Sequence, residues 1–370
     1  MIEAAIWSAD YDQITGQGLV TARVVRCQQT IRWREYIYRG LGMRSVATWA
    51  AAAFRLWKDV AYRRLDMLYL VCSRSNGGFL RDVPALLVAR TGLRVVVHAH
   101  GSDIVDLLSR RRISPLARAL YRGCEIIVPS THLVQPVKDI TGVEPHLCEN
   151  YFASSSKFAV SAPSRDDNNL TVLWNSNVMA SKGFFDVAEA VKQLRDEGVP
   201  VKLISLGVPV GDEEMSSQQA TGRLDALVGF DWIDYRGKVD QQTAIALTVD
   251  ADVVCLPSRY SSESQGIAVI EGMCAGKAVV ASDIPALRAT LRGYPAHFVP
   301  VRSVDAIVEA LRELYELKLK DPVAFASSRL APAAVARERF AATRFDREMA
   351  AILDRPGTGE PPQPSPAALN

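Results

Sequence analysis

Short apolar runs alternate with amphipathic stretches along most of the chain. In the first half the runs are IEAAIW (2–7), MLYLVCS (67–73), RVVVHAH (94–100) and EIIVPS (125–130). In the second they are LTVLWNS (170–176), VKLISLG (201–207), DVVCLPS (252–258) and AVVAS (278–282). Each is continuous rather than alternating, the mark of a strand covered on both faces in a parallel sheet. Between them the apolar positions recur at three- and four-residue steps, as with Val46, Trp49, Ala53, Trp57 and Val60 in segment 46–60. Segments 184–197 and 304–319 repeat that period and predict helices. Strands alternating with helices specify βαβ units, so the predicted class is α/β with doubly wound parallel sheets.

The stretch 153–169 breaks the pattern, being rich in Ser, Asp and Asn and without periodicity. It predicts a front domain over 1–155, a linker at 156–169 and a rear domain over 170–335, with a cleft between the domains. The Pro-rich end, 355–370, reads as a disordered tail. A chain of 370 residues suits two such domains better than one core. Charge separates them too: residues 1–150 carry a net +7 and the remainder a net −5. That asymmetry points to different partners for the two halves.

Composition excludes several classes. The chain is 48% hydrophobic and 23% charged, which rules out bulk disorder. No apolar run reaches the roughly 18–20 residues of a membrane helix. Asp10 and Asp12 come too early for a signal peptide. The six cysteines are scattered, with no C-x-x-C pair, and read as reduced thiols. A cytoplasmic protein is the expectation.

Ligands of open parallel sheets bind beyond the carboxyl ends of strands, and unusual residues follow these runs. After DVVCLPS comes SRYSSESQGIAVIEGMCAGKAVVASD, with Glu263 and Glu271 eight positions apart. Gly266 allows a tight turn into a helix starting near Ile267. Backbone N–H groups at Ser264, Gln265, Gly266 and Ile267 would then form an anion site. Glu271, one turn into the helix, suits the paired hydroxyls of a ribose, so the ligand read from these residues is a nucleotide. Two Glu at this spacing are also what a helix cap and a surface residue would give.

The segment resembles the Glu-x7-Glu signature of retaining glycosyltransferases of the GT-B fold, in the large family 4 of mannosyl-, glucosyl- and N-acetylglucosaminyltransferases. The resemblance runs through Pro257-Ser258, Glu263, Gly266, Glu271, Met273, Ala275-Gly276, Val279 and Ser282-Asp283. Gln265, Gly272 and Ala278 depart from the family's usual aromatic, Ala and Pro. VMASKGFFDVAEAVKQL (178–194) resembles the family's Lys-Gly loop, with Lys182 meeting the donor diphosphate. Ser176 and Asn177 stand where the family usually has Arg; Asn177 is counted with the donor-binding residues. HAHGSDI resembles the family's His-Gly-x-Asp, with His100, Gly101 and Asp103, while His98 reads as a buried strand residue. The loop ITGQGLVTA, with Gly16 and Gly18, resembles the glycine loop that approaches the donor phosphates. Glu149-Asn150 resembles the interdomain hinge. Segment 336–354 resembles a last helix that crosses back onto the first domain.

The fold implied is GT-B: two Rossmann-like domains facing a central cleft. The reaction implied moves a sugar from a nucleoside diphosphate to a glycan or lipid-linked acceptor with retention, as in bacterial surface-polysaccharide assembly. Glu263 and His100 would be catalytic. Neither cofactor nor metal ion is expected. The front segment 24–45 interleaves Arg26, Arg32, Arg34, Arg39 and Arg44 with Trp33, Tyr36 and Tyr38. That mixture suits an anionic membrane surface and equally a solvated helix and loop; nucleic acid is not expected, since no binding motif accompanies the charge. The rivals are a GT-B sugar-nucleotide epimerase or phosphorylase, a non-catalytic two-domain sugar-binding protein and a nicotinamide dehydrogenase. The last is disfavoured by Thr21, where a dinucleotide fingerprint wants Gly or Ala.

Overall fold

The computed structural model describes residues 1–9, 11, 16–38, 43–73, 75–109, 114–152 and 168–355. The expected linker lies outside the described residues up to position 167, as does the expected tail from 356 onward. Two compact units divide the chain. One comprises Met1–Asn150 and the chain from Thr343; the other comprises Tyr151–Ala342.

The front unit is a six-stranded parallel sheet in the order β2-β1-β3-β4-β5-β6. Its strands are β1 Ile2–Ala9, β2 Ile31–Tyr38, β3 Met67–Val71, β4 Arg94–His98, β5 Glu125–Val128 and β6 His146–Leu147. Every residue of β3 is buried, and Ala4 to Trp7 of β1 are fully buried, as continuous apolar strands between two helical layers must be.

Strand β2 corrects the reading of segment 24–45 as helix and loop. The helix Gly16–Cys27 ends there, and IRWREYIY then pairs with β1 as an edge strand. Tyr36 and Tyr38 are buried, while Glu35, on the opposite face, and Arg32, nearer the start of the strand, are exposed. Arg34 reaches back to Glu3 at 3.1 Å. The segment is therefore an edge strand and not a solvated helix and loop, and two of its three aromatics are buried. Arg39 lies outside the described residues.

The rear unit is also a six-stranded parallel sheet, ordered β12-β11-β10-β7-β8-β9. Its strands are β7 Leu170–Asn175, β8 Val201–Leu206, β9 Ile233–Gly237, β10 Val253–Leu256, β11 Ala278–Ser282 and β12 His297–Val299. The chain runs from β7 outward to β9, then returns to the opposite side of β7 with β10. A crevice therefore opens where β7 and β10 diverge at their carboxyl ends. Both sheets are doubly wound, as the alternation of strands and helices requires. The edge strands β2, β9 and β12 and the two-residue β6 carry no continuous apolar run, which is why the pattern of the chain omits them.

The helix expected over 336–354 is two helices. Leu330–Arg339 packs in the rear unit, with Ala333 and Ala336 buried and Arg337 Nη1 donating to the Cys274 carbonyl at 2.7 Å. The break comes at Phe340, fully buried in the rear core, whose carbonyl accepts the Phe152 N–H at 2.7 Å. Ala342–Leu353 then buries Phe345, Met349 and Leu353, and from Thr343 onward it belongs to the front unit. There Arg23 grips Asp346 through Nε at 2.7 Å and Nη2 at 2.6 Å. Arg94 donates to the Ile352 carbonyl at 2.7 Å, and Arg344 to the carbonyls of Glu149 and Asn150 at 2.7 and 3.1 Å. None of the six cysteines is in a disulfide. No helix among the described residues is long and apolar enough to cross a membrane.

Candidate functional site

The segment after β10 turns sharply into the helix Ile267–Cys274, and the turn depends on Gly266. Its φ of +63° is left-handed, and a Cβ there would lie 2.9 Å from both Leu256 Cδ2 and Leu287 Cδ2. Ser264 and Gln265 are buried in the turn, while Ile267 opens the helix at the surface. Glu263, also buried, accepts a hydrogen bond from Ser258 Oγ at 3.0 Å. The Ser258 carbonyl in turn accepts one from Ser282 Oγ. A serine–serine–glutamate relay thus fixes the Glu263 carboxylate from beneath.

The loop after β7 brings the second set. Asn175, the last residue of β7, donates from Nδ2 to Glu271 Oε2 at 2.5 Å. Lys182 Nζ lies 3.1 Å from Ser176 Oγ and 3.8 Å from Glu263 Oε2, with the Tyr260 ring centroid 5.9 Å away. Adjacent residues at the end of β7 thus make two sets of contacts, Asn175 with Glu271 and Ser176 with Lys182, which in turn approaches Glu263 and its partner Ser258. Burial pushes the Glu271 carboxyl up to about 7.

Two glycines hold this loop at close range. Gly183 has φ +87°, and a Cβ would sit 2.6 Å from the Pro257 carbonyl oxygen. Gly207, just after β8, has φ +88°, and a Cβ would meet the Ser176 carbonyl oxygen at 2.3 Å. Gly207→Ala is therefore expected to cost about 2–4 kcal/mol, from left-handed strain plus overpacking against rigid backbone. Chemical denaturation checks this; a variant as stable as the parent would show that the two loops do not press together.

The structure places the sequence-based candidates unevenly. Lys182, Glu263, Glu271 and the turn 264–267 lie near one another at the ends of β7 and β10. Asn177 is exposed, and its neighbours Asn175 and Ser176 make the contacts instead. Asn175 was not among the expected residues; its one signal is a polar side chain ending an apolar strand. Arg259 does not place a second cation beside Lys182. Its guanidinium is committed to Asp186 at 2.5 Å and Glu214 at 2.7 Å.

In the front unit, Gly16 and Gly18 lie in the first turn of helix Gly16–Cys27 rather than in a loop. The residues leading into it, 12–15, lie outside the described residues. His100 follows β4, its ring centroid 4.2 Å from that of His98. His98 is fully buried, with Nδ1 2.5 Å from Tyr69 Oη, and burial pushes its pKa down to about 3. It is therefore a neutral strand residue, a packing surface for His100.

Residues 169–317 match the profile of the family described as glycosyl transferases group 1. The phosphatidyl-myo-inositol mannosyltransferase of Mycobacterium leprae (strain TN) is 36% identical over 131 residues, 35% of this chain and 33% of that protein. Its counterpart in Mycobacterium tuberculosis (strain CDC 1551 / Oshkosh) is 37% identical over 133 residues, 36% and 33% of the two chains. The aligned stretch thus spans about a third of the length of these relatives. Among solved structures, sucrose-phosphate synthase from Thermosynechococcus elongatus superposes with a TM-score of 0.71 at 14% identity, covering 96% of this chain and 98% of that one. Anabaena HepE in complex with UDP-glucose gives 0.69 at 13% identity, covering 96% and 100%. The rear unit thus resembles the glycosyl transferases group 1 in sequence, and the whole chain has the GT-B fold of these neighbours.

Proposed function

We propose that this protein is a retaining glycosyltransferase, transferring a sugar from a nucleoside-diphosphate donor to a glycan or lipid-linked acceptor. The observation that carries the reading is the polar cluster of Glu271, Asn175, Ser176, Lys182 and Glu263 at the strand divergence of the rear unit. It offers a carboxylate for a ribose, a cation for a diphosphate and a second carboxylate for sugar hydroxyls. The names of the relatives agree with this chemistry, as does the nucleotide sugar held by a structural neighbour.

In this reading the bond between the anomeric carbon and the diphosphate breaks as the acceptor hydroxyl oxygen bonds that carbon on the same face, its proton passing to the departing diphosphate. Negative charge builds on the departing diphosphate, where Lys182 and the start of the helix Ile267–Cys274 stabilise it. Glu263, held by Ser258, orients the donor sugar, and Glu271 holds the ribose. His100, packed on the ring of His98, is assigned to the same sugar. No metal ion is needed, because fixed protein charges meet the leaving group. The acceptor is assigned to the basic front unit, at the cytoplasmic face of a bacterial membrane during surface-polysaccharide assembly.

Incubation with a panel of nucleotide sugars, with and without EDTA, tests the reading. Acceptor-dependent nucleotide release from one donor, unchanged by EDTA and with the anomeric configuration kept in the product, is expected. No release from any donor would overturn it. Interconversion of the donor sugar without transfer would replace it with an epimerase.

A further inference from the structure

A depression of about 270 Å³ opens in the front unit between the edge strand β2 and the helix Met43–Ala61. Arg34, Arg55, Lys58 and Arg64 line it against Glu35 and Asp59. Both carboxylates are already engaged. Asp59 accepts hydrogen bonds from Tyr36 Oη at 2.6 Å and Arg64 Nη1 at 3.2 Å, and these hold its carboxyl below the ordinary value. Glu35 accepts from Tyr11 Oη at 2.5 Å. Arg34 is shared between Glu3 at 3.1 Å and Asp59 at 3.9 Å.

The charge left over belongs to Arg55 and Lys58. They stand three residues apart, and so on one face of the helix. Both are exposed, and among the described residues neither is in an ion pair. The Arg55 guanidinium lies over the Tyr36 ring, 5.8 Å from its centroid, which turns the planar fork toward the strand side of the depression. Unmatched cations gathered round a concavity repel one another until an anion joins them. A guanidinium fork beside an ammonium is a set of donors suited to phosphate oxygens.

We propose that this depression binds a phosphoryl group, either a phosphate monoester or a diphosphate, through Arg55 and Lys58 with Arg34 and Arg64 at its rim. The site is separate from the proposed reaction and does not rest on it. Within the front sheet, β1 and β3 stand between β2 and β4, the strand that leads to His100. The phosphoryl group can come from a soluble metabolite or from an anionic lipid headgroup, and the two are told apart by competition.

The test titrates inorganic pyrophosphate into full-length protein by calorimetry, in a Lys182→Ala background that removes the cation of the rear unit. Binding is expected to persist there and to weaken about tenfold or more when Arg55→Ala and Lys58→Ala are added. The charge-conserving pair Arg55→Lys and Lys58→Arg is expected to keep most of the affinity. Phosphatidic acid vesicles, whose headgroup is a phosphate monoester, that displace pyrophosphate would support the site with a lipid headgroup as its occupant. Failure to displace it, with binding still dependent on Arg55 and Lys58, would support a soluble one. The proposal is overturned if the Lys182→Ala protein binds no pyrophosphate, or if the double alanine variant binds it as tightly.

Discussion

Replacing Lys182 with alanine is expected to lower turnover by roughly 10²–10³, the loss typical when one pre-placed donor to a developing anion is removed. The ammonium is held in place by Ser176 Oγ at 3.1 Å and Glu263 Oε2 at 3.8 Å, so it meets a departing diphosphate without rearranging. Arg259, the neighbouring cation after β10, is tied to Asp186 and Glu214 and cannot substitute. The loss should fall on kcat more than on KM, because the charge it answers appears mainly in the transition state. A variant with unchanged kcat in steady-state assays would place the leaving group elsewhere. Thermal melts of the same variant separate this from unfolding, since a half-buried lysine at a loop end contributes little to the core.

Glu271→Gln is expected to weaken nucleoside-diphosphate binding about ten- to hundredfold, the range for losing a charge-assisted hydrogen bond. Binding should also depend on pH. Burial lifts the Glu271 carboxyl to about 7, so near neutrality it is only part ionised, and in the proposed reading it is the ionised form that accepts both ribose hydroxyls. Affinity should therefore rise between pH 6 and pH 8 and then level, and the glutamine variant should lose that rise. Stability without ligand runs the opposite way. A carboxyl whose folded value is raised holds its proton longer in the native state, so Glu271 contributes a loss of stability as pH climbs from its ordinary value of 4.5 to about 7. Calorimetric titration across that range checks the first effect, and denaturation of parent and variant checks the second. A flat pH profile in the parent would detach Glu271 from the ribose.

Much of this was legible before any coordinates. The continuous apolar runs named eight of the twelve strands among the described residues, because strands covered on both sides must be apolar at every position. Gly266 could be read as the turn into its helix, since only glycine takes a left-handed φ without strain. What escaped was local polarity with a tertiary cause. Strand β2 reads as a basic surface until β1 is beside it, and then Tyr36 and Tyr38 are core. Asn175, not Asn177, makes the contact, because Asn175 still belongs to β7 beside Glu271 whereas Asn177 lies beyond the strand end and is exposed.

The sequence by itself determined the class of the buried strands and of the amphipathic helices between them, the break between two α/β halves and the identities of the charged residues that follow the strands. Those follow from short-range rules of periodicity and backbone conformation. Only the tertiary structure decided which strand neighbours which. By inserting β10 beside β7, and not beside β9, the sheet brings residues 96 apart in the chain, Asn175 and Glu271, to within 2.5 Å. Strand order is a global property of packing, and no local pattern encodes it.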